Sequence, residues 1–72
     1  MRPKKRSLIL NGHNTSVSLE DLFWSELKNI AKEQQLSINQ LVAKIDESRN
    51  FKVNGLATEL REFVLKHHIN KN

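Results

Sequence analysis

The sequence has no cysteine, no tyrosine, one proline and only two glycines. Without cysteine, neither disulfide bonds nor thiolate metal sites can stabilise the chain. No apolar run comes near the roughly 20 residues that cross a bilayer. The short run Leu8-Ile9-Leu10 behind the basic start is also too brief for a signal peptide. We therefore expect a cytoplasmic protein with no membrane segment.

The chain is 72 residues long, which is the size of one small domain. A domain of this size buries only about 60% of the surface that its unfolded chain exposes, so its stability is marginal. Oligomerisation is then the common way to gain stability when disulfides and metals are missing. The size predicts a homodimer before any motif is considered.

The net charge of +4 comes from one end of the chain. The only charged side chains among residues 1–19 are basic: Arg2, Lys4, Lys5 and Arg6. Beyond residue 19, eight basic and eight acidic side chains cancel. This pattern favours a flexible basic arm, residues 1–6, that meets a polyanion. A solvated tail without a partner is the alternative.

Residues 7–19 have the alternation of extended structure, interrupted by Asn11-Gly12. This dipeptide suits a type I′ turn, because both of its central residues need a positive φ. One strand face would be apolar: Leu8, Leu10, Val17 and Leu19. The other would carry Asn14, Ser16 and Ser18. Whether the two halves pair within one chain stays open at this level.

The period then changes to that of helices. A first helix is predicted from about Glu20 to Gln35, with an apolar stripe of Phe23, Leu27, Ile30, Ala31 and Gln34, and with Leu22 and Trp24 at its margins. Ser37 to Gln40 form a capping box for a second helix that ends near Ser48, with an apolar seam of Ile38, Leu41, Val42 and Ile45.

A third helix is predicted after a connection at residues 49–53. Asn54 is its expected cap, and the helix runs from Leu56 to His68, with residues 69–72 frayed. Its apolar face comprises Leu56, Ala57, Leu60, Phe63, Val64 and His67. We expect this face to pack on the dimer or, alternatively, to bind another protein.

The order of a short strand and two helices resembles the ribbon-helix-helix family, which includes the Arc and MetJ repressors. The resemblance rests on the strand of residues 14–19, the helix to Gln35, and Leu36-Ser37-Ile38-Asn39 at the second helix start. It implies a mainly α fold with an N-terminal β-ribbon, built as an intertwined homodimer over residues 7–72 with an additional C-terminal helix.

Further short strings resemble a bacterial subfamily of uncharacterised ribbon-helix-helix proteins. They are Lys5-Arg6-Ser7, Gly12-His13, residues 15–20, Phe23-Trp24, Ile45-Asp46 and Phe63-Val64-Leu65. Their order and spacing extend the resemblance over nearly the whole chain. Fold membership alone does not settle function.

The resemblance implies that outward strand residues contact DNA bases in the major groove; here these are Asn14, Ser16 and Ser18. Asparagine can bind adenine bidentately and serine can bond to several bases. The sequence departs from familiar members because none of the three is Arg or Lys. Such a strand would discriminate less, and a plain solvent-facing strand is the alternative interpretation.

The resemblance also assigns phosphate contacts and a dimer core. Phosphate would meet the second helix N-terminus and the basic arm: Ser37, Ile38, Asn39, Arg2, Lys4, Lys5 and Arg6. The expected dimer core comprises Val17, Leu19, Phe23, Trp24, Leu27, Ile30, Leu41, Val42 and Ile45.

The remaining residues indicate no catalytic, metal or cofactor site. His67 and His68 are adjacent on a predicted helix and point about 100° apart, so they do not chelate one metal together. His13 follows the proposed turn, where a structural role is favoured over a chemical one. Ser16 and Ser18 have no predicted base beside them to make a nucleophile.

The predicted function is a sequence-specific transcriptional regulator, typically a repressor, that binds double-stranded DNA as a homodimer. Two alternatives remain. One is an antitoxin-like protein-interaction module that uses the third helix. The other is non-specific binding of nucleic acid through the basic arm.

Overall fold

The computed structural model describes residues 2–48 and 55–71. Two antiparallel strands come first, β1 (Lys4–Leu10) and β2 (His13–Leu19). Three helices follow: α1 (Asp21–Glu33), α2 (Ile38–Glu47) and α3 (Leu56–Lys71). The expected connection at residues 49–53 and the expected cap at residue 54 lie outside the described residues.

The two strands form one hairpin within the chain. Leu10 pairs with His13, so the loop has only two residues, Asn11 and Gly12. Both have positive φ, 53° and 82°, as a type I′ turn requires. The register then runs down to Lys4 opposite Leu19. The turn expected from the Asn-Gly pair is confirmed, and it answers the open question of pairing: the two strands pair with each other within one chain.

The hairpin has an apolar inner face and an exposed outer face. Four inner side chains are almost completely buried: Leu8, Leu10, Val17 and Leu19. His13 shares their side of β2 but is exposed beside the turn. The outer face, as the term is used below, consists of Lys5, Ser7, Ile9, Asn14, Ser16 and Ser18, all of them exposed. The predicted alternation is confirmed.

Helix α1 begins after Glu20, whose extended backbone makes it the N-cap. Its side chain makes no capping hydrogen bond and is used elsewhere, as described below. At the other end, Gln35 adopts a φ of 59° and the amide of Leu36 bonds to the carbonyl of Ala31 at 2.8 Å. This left-handed residue with a six-residue closing bond is a Schellman ending, and it explains the predicted break at residues 35–36.

Helix α2 begins with the predicted capping box. The Ser37 hydroxyl accepts from the Gln40 amide at 3.1 Å, and the Gln40 side chain accepts from the Ser37 amide at 2.8 Å. The helix ends at Glu47, with Ser48 as its C-cap. The local sequence therefore predicted both ends of this helix.

Helix α3 extends further than the sequence indicated. It continues to Lys71, so residues 69–71, which were expected to fray, are helical. Its inner side chains Leu60 and Val64 are buried, as the apolar pattern predicted.

The three helices and the inner face of the hairpin share one apolar core. Helix α2 lies against β1, and α3 lies against β2. Seven of the nine residues expected in a dimer core are 8% exposed or less in a single chain; Phe23 and Trp24 are partly buried at its edge. These residues therefore already pack against one another within one chain, where the hairpin closes one side of the interior.

Candidate nucleic-acid interface

The three side chains predicted to contact bases lie together on the outer face of the hairpin. Asn14, Ser16 and Ser18 are alternate residues of β2, and each is exposed. Their β1 neighbours in the register are Ile9, Ser7 and Lys5 respectively. The outer face is thus two strands wide, with polar groups on both strands and one cation, Lys5.

The two long edges of the hairpin differ. A two-residue loop makes Leu10 and His13 a bonded pair, so the backbone groups of every second residue point away from the neighbouring strand. On β1 these include Ile9, whose amide donates to the side-chain oxygen of Asn39 at 3.1 Å. On β2 they are Asn14, Ser16 and Ser18. Over residues 2–48 and 55–71, no other group bonds to those three backbones, which leaves the β2 edge open.

The N-terminus of α2 lies beside the β1 edge, held there by the same Asn39–Ile9 bond. The first bond within this helix runs from the Leu41 amide to the Ser37 carbonyl. The capping box uses the amides of residues 37 and 40, which leaves those of Ile38 and Asn39 without helical partners. Two donors and the positive end of the helix dipole are therefore placed next to the outer face.

The basic residues expected to form an arm divide into two kinds. Strand β1 begins at Lys4, so only residues before it precede the hairpin. Lys4 binds a carboxylate oxygen of Asp21 at 3.0 Å and Arg6 binds the other. Within the described residues, Arg2 and Lys5 make no ion pair and are exposed. Part of the positive charge is therefore used inside the protein.

Arg6 is the most enclosed of these cations, with its side chain 16% exposed. Besides Asp21, it donates to the carbonyl of Leu19 at 3.3 Å and lies 5.4 Å from the ring centre of Trp24. These contacts join β1 to the end of β2 and the start of α1. Arg6 thus stabilises the corner between the hairpin and the helices.

Two carboxylates at that corner have perturbed acidity. The hydrogen bond from Arg6, followed by that from Lys4, lowers the pKa of Asp21. The pKa of Glu20 is lowered mainly by its hydrogen bonds with Arg61 of α3, at 2.9 and 3.1 Å. Both groups are therefore ionised at neutral pH, and Glu20 ties the start of α1 to α3.

The adjacent histidines of α3 contact different residues of α1. His67 lies 3.7 Å from a carboxylate oxygen of Glu33, and His68 lies 3.4 Å from one of Glu26. In the described part of the chain, no three His, Asp or Glu side chains are grouped as metal ligands. These histidines lie at the contact between α1 and α3, away from the outer face.

Ser7 and Ile9 are outer-face residues that the sequence analysis did not assign. The sequence did carry a signal for them. A two-residue loop at positions 11 and 12 fixes the register, because each β1 residue then pairs with the β2 residue that is the same number of positions from the loop. Ser7 is then opposite Ser16 and Ile9 opposite Asn14. This register applies only when the hairpin forms within one chain, which the sequence pattern left open.

Comparison with protein-family profiles matches residues 3–68 to the ribbon-helix-helix domain. The chain belongs to the ribbon-helix-helix family. Its members are typically DNA-binding regulators, and the fold is a DNA-binding rather than a catalytic one. The N-terminal two-stranded β-ribbon and the three helices after it, the last of them additional, agree with the expected fold class. The family is usually dimeric.

A solved structure of the same fold is that of an uncharacterized protein from Bordetella pertussis Tohama I. It is 35% identical to this chain, with a TM-score of 0.77. The match covers 93% of this chain and 56% of the Bordetella protein, so this ribbon-helix-helix chain spans just over half of that protein. The curated proteins contain no significant match to the sequence.

Over the described residues, no helix of this family member is long and apolar enough to cross a membrane.

Proposed function

We propose that this ribbon-helix-helix protein is a sequence-specific transcriptional regulator that represses by occupying operator DNA. The observation that carries the proposal is the hairpin's outer face, where short polar side chains on alternate residues stay exposed while the inner face is buried. The major groove admits a two-stranded β-ribbon, which two β2 strands from two copies would supply, and side chains such as Asn and Ser can bond to base edges there. Asn14, Ser16 and Ser18 make these base contacts.

The second element of the proposal is a homodimer formed along the open β2 edge. The backbone groups of Asn14, Ser16 and Ser18 point toward this edge, and a second β2 running antiparallel can bond to all three. With Ser16 at the two-fold axis, Asn14 of each copy lies opposite Ser18 of the other. The result is a four-stranded sheet in which two β2 strands are central and the six base-contacting side chains share one face.

Phosphate contacts flank this sheet on both sides. The amides of Ile38 and Asn39, with the Ser37 hydroxyl beside them, bind one phosphate at each α2 N-terminus. The principal cations are Arg2, which precedes the hairpin, and Lys5, which lies on its outer face. Lys4 and Arg6 stay in the proposal as weaker contacts, because both already bind Asp21. Phosphate contacts place the protein on DNA, whereas base contacts select the sequence.

The test begins with selection of duplexes from a random pool at moderate salt, with competitor DNA present. Kd is then measured for the wild type, Asn14→Ala and a control, Asn29→Ala, which removes an exposed asparagine from α1. We expect Asn14→Ala to lose about tenfold of its preference for the selected duplex, since a good bidentate base contact contributes about 1–3 kcal/mol of discrimination. Asn29→Ala should match the wild type.

Other results would contradict the proposal in distinct ways. Equal affinity for any polyanion would indicate binding by the basic residues alone, and no DNA binding would favour a protein-interaction module. A monomeric mass at micromolar concentration would remove the paired β2 edges. For the arm, Arg2→Ala with Lys5→Ala should weaken binding to all sequences and flatten its salt dependence.

A further inference from the structure

Ile9 is the one large apolar side chain on the outer face, and it is 54% exposed. Its neighbours on that face are a lysine, an asparagine and three serines. An exposed isoleucine beside polar groups gains nothing from water, whereas it could gain by contacting an apolar group of a ligand. The major groove offers one such group, the methyl of thymine.

The position of Ile9 matches that group. It lies directly opposite Asn14 in a pair whose backbones do not bond each other, where side chains on the same face are about 4.5–5.5 Å apart at Cβ. Asparagine bonds to the N6 and N7 atoms of adenine, and the partner base of adenine carries the methyl group. One A·T pair, or two neighbouring pairs, can therefore meet both side chains.

The width of the proposed sheet also places β1 near the thymine methyl. Four strands at about 4.8 Å spacing put the outer strand axes roughly 14 Å apart, while the major groove is about 12 Å wide. The two β1 strands then lie above the rims of the groove, and only their outer-face side chains reach toward the base pairs. The thymine methyl projects on the wall side of the base pair.

The backbone of Ile9 is fixed by the bond from its amide to Asn39 of α2. That bond also occupies the β1 edge at this point, which argues against a second copy pairing there. The side chain is thus held in place and open on the face that would meet DNA.

We propose that Ile9 contacts a thymine methyl group at the outer end of each half-site, beside the adenine bound by Asn14. The inference rests on the proposed function and adds a base preference, A·T, together with a second strand that takes part in recognition. Base recognition would then involve β1 as well as β2.

The test compares two versions of the selected duplex, one with thymine and one with deoxyuridine at every thymine position. Deoxyuridine lacks only the methyl group. For the wild type we expect the Kd to rise about fourfold per half-site, or about fifteenfold for the dimer, on the loss of one buried methyl each. Ile9→Ala should bind both duplexes with one affinity. Ile69→Ala removes an isoleucine that is 70% exposed on α3, and it should keep the wild-type ratio.

The ratio of the two affinities is the readout, so a variant that folds less well lowers both values and leaves the ratio interpretable. If the wild type binds specifically but ignores deoxyuridine, the Ile9 contact is wrong and the proposed function stands. If Ile9→Ala keeps the full ratio, another residue contacts the methyl and the inference is overturned. If no duplex is selected from the pool, the proposed function and this inference both fall.

Discussion

The two faces of the hairpin are built from the same 14 strand residues and have opposite environments. The inner face places Leu8, Leu10, Val17 and Leu19 in the core, where each is 8% exposed or less. The outer face leaves six side chains exposed. Because neighbouring residues of a strand belong to opposite faces, one position contributes to the stability of the core and the next to the proposed DNA contact. Substitutions at neighbouring residues can therefore separate the two.

The largest effect should come from Leu19→Ala, which truncates a side chain with no exposed surface in the core. We expect the free energy of unfolding to fall by about 2–5 kcal/mol, from lost burial and the remaining cavity. Denaturant titration followed by the fluorescence of Trp24 measures it. The matched control is the neighbouring Ser18→Ala on the outer face, which should change stability by less than about 0.5 kcal/mol. Similar losses for both would show that the faces are not distinct.

Gly12→Ala should lower the free energy of unfolding by an intermediate amount, and because it lies in the turn it should affect both faces of the hairpin. A Cβ at this position would meet nothing within 4 Å, so sterics with neighbours cost nothing. The loss of stability comes from the backbone instead, because an L-residue at a φ of 82° is strained by about 1–2 kcal/mol. Thermal unfolding should show this loss. The control Gly55→Ala also has open space but lies outside the positive-φ region, and it should lose much less.

The smallest effect concerns the ion pair that joins the hairpin corner to α3. Since the pKa of Glu20 is lowered by Arg61, the pair stabilises the fold above the ordinary pKa of 4.5. This contribution is lost as the pH falls through the lowered value. Arg61→Met should therefore be less stable than wild type at pH 7, and the difference should shrink by pH 3. Lys66→Met, an exposed cation of the same helix, should show no such pH dependence. If the stability difference between Arg61→Met and wild type persisted at pH 3, it would come from lost packing contacts of the arginine stem and not from the ion pair.

Much of the secondary structure could be predicted because its signals are local. The Asn11-Gly12 turn, the Ser37 capping box and the alternation of β2 each depend on residues a few positions apart. The end of α3 could not be predicted, because no glycine or proline near residues 69–71 marks where the helix stops. The start of α1 was predicted only approximately, because its N-cap Glu20 makes no capping bond and instead binds Arg61, which is 41 residues away.

The site was predicted in part for the same reason. The spacing of two placed Asn14, Ser16 and Ser18 on one face, and the family resemblance implied their base contacts. Ile9 and Ser7 joined that face only when the register was known. The basic segment was assigned as one arm because charge alone does not distinguish its members. Only the folded chain shows that Arg6 and Lys4 reach Asp21 while Arg2 and Lys5 stay exposed.

The sequence alone determined which strand face is apolar, where the hairpin turns and where α2 begins, because periodicity, backbone preference and capping act over a few residues. Tertiary structure decided that β1 and β2 pair within one chain and that the three helices pack on the inner face of this hairpin. It also decided which strand edge stays open, since Asn39 of α2 occupies the β1 edge at Ile9. These outcomes depend on groups that are distant along the chain and meet only when the helices pack on the sheet.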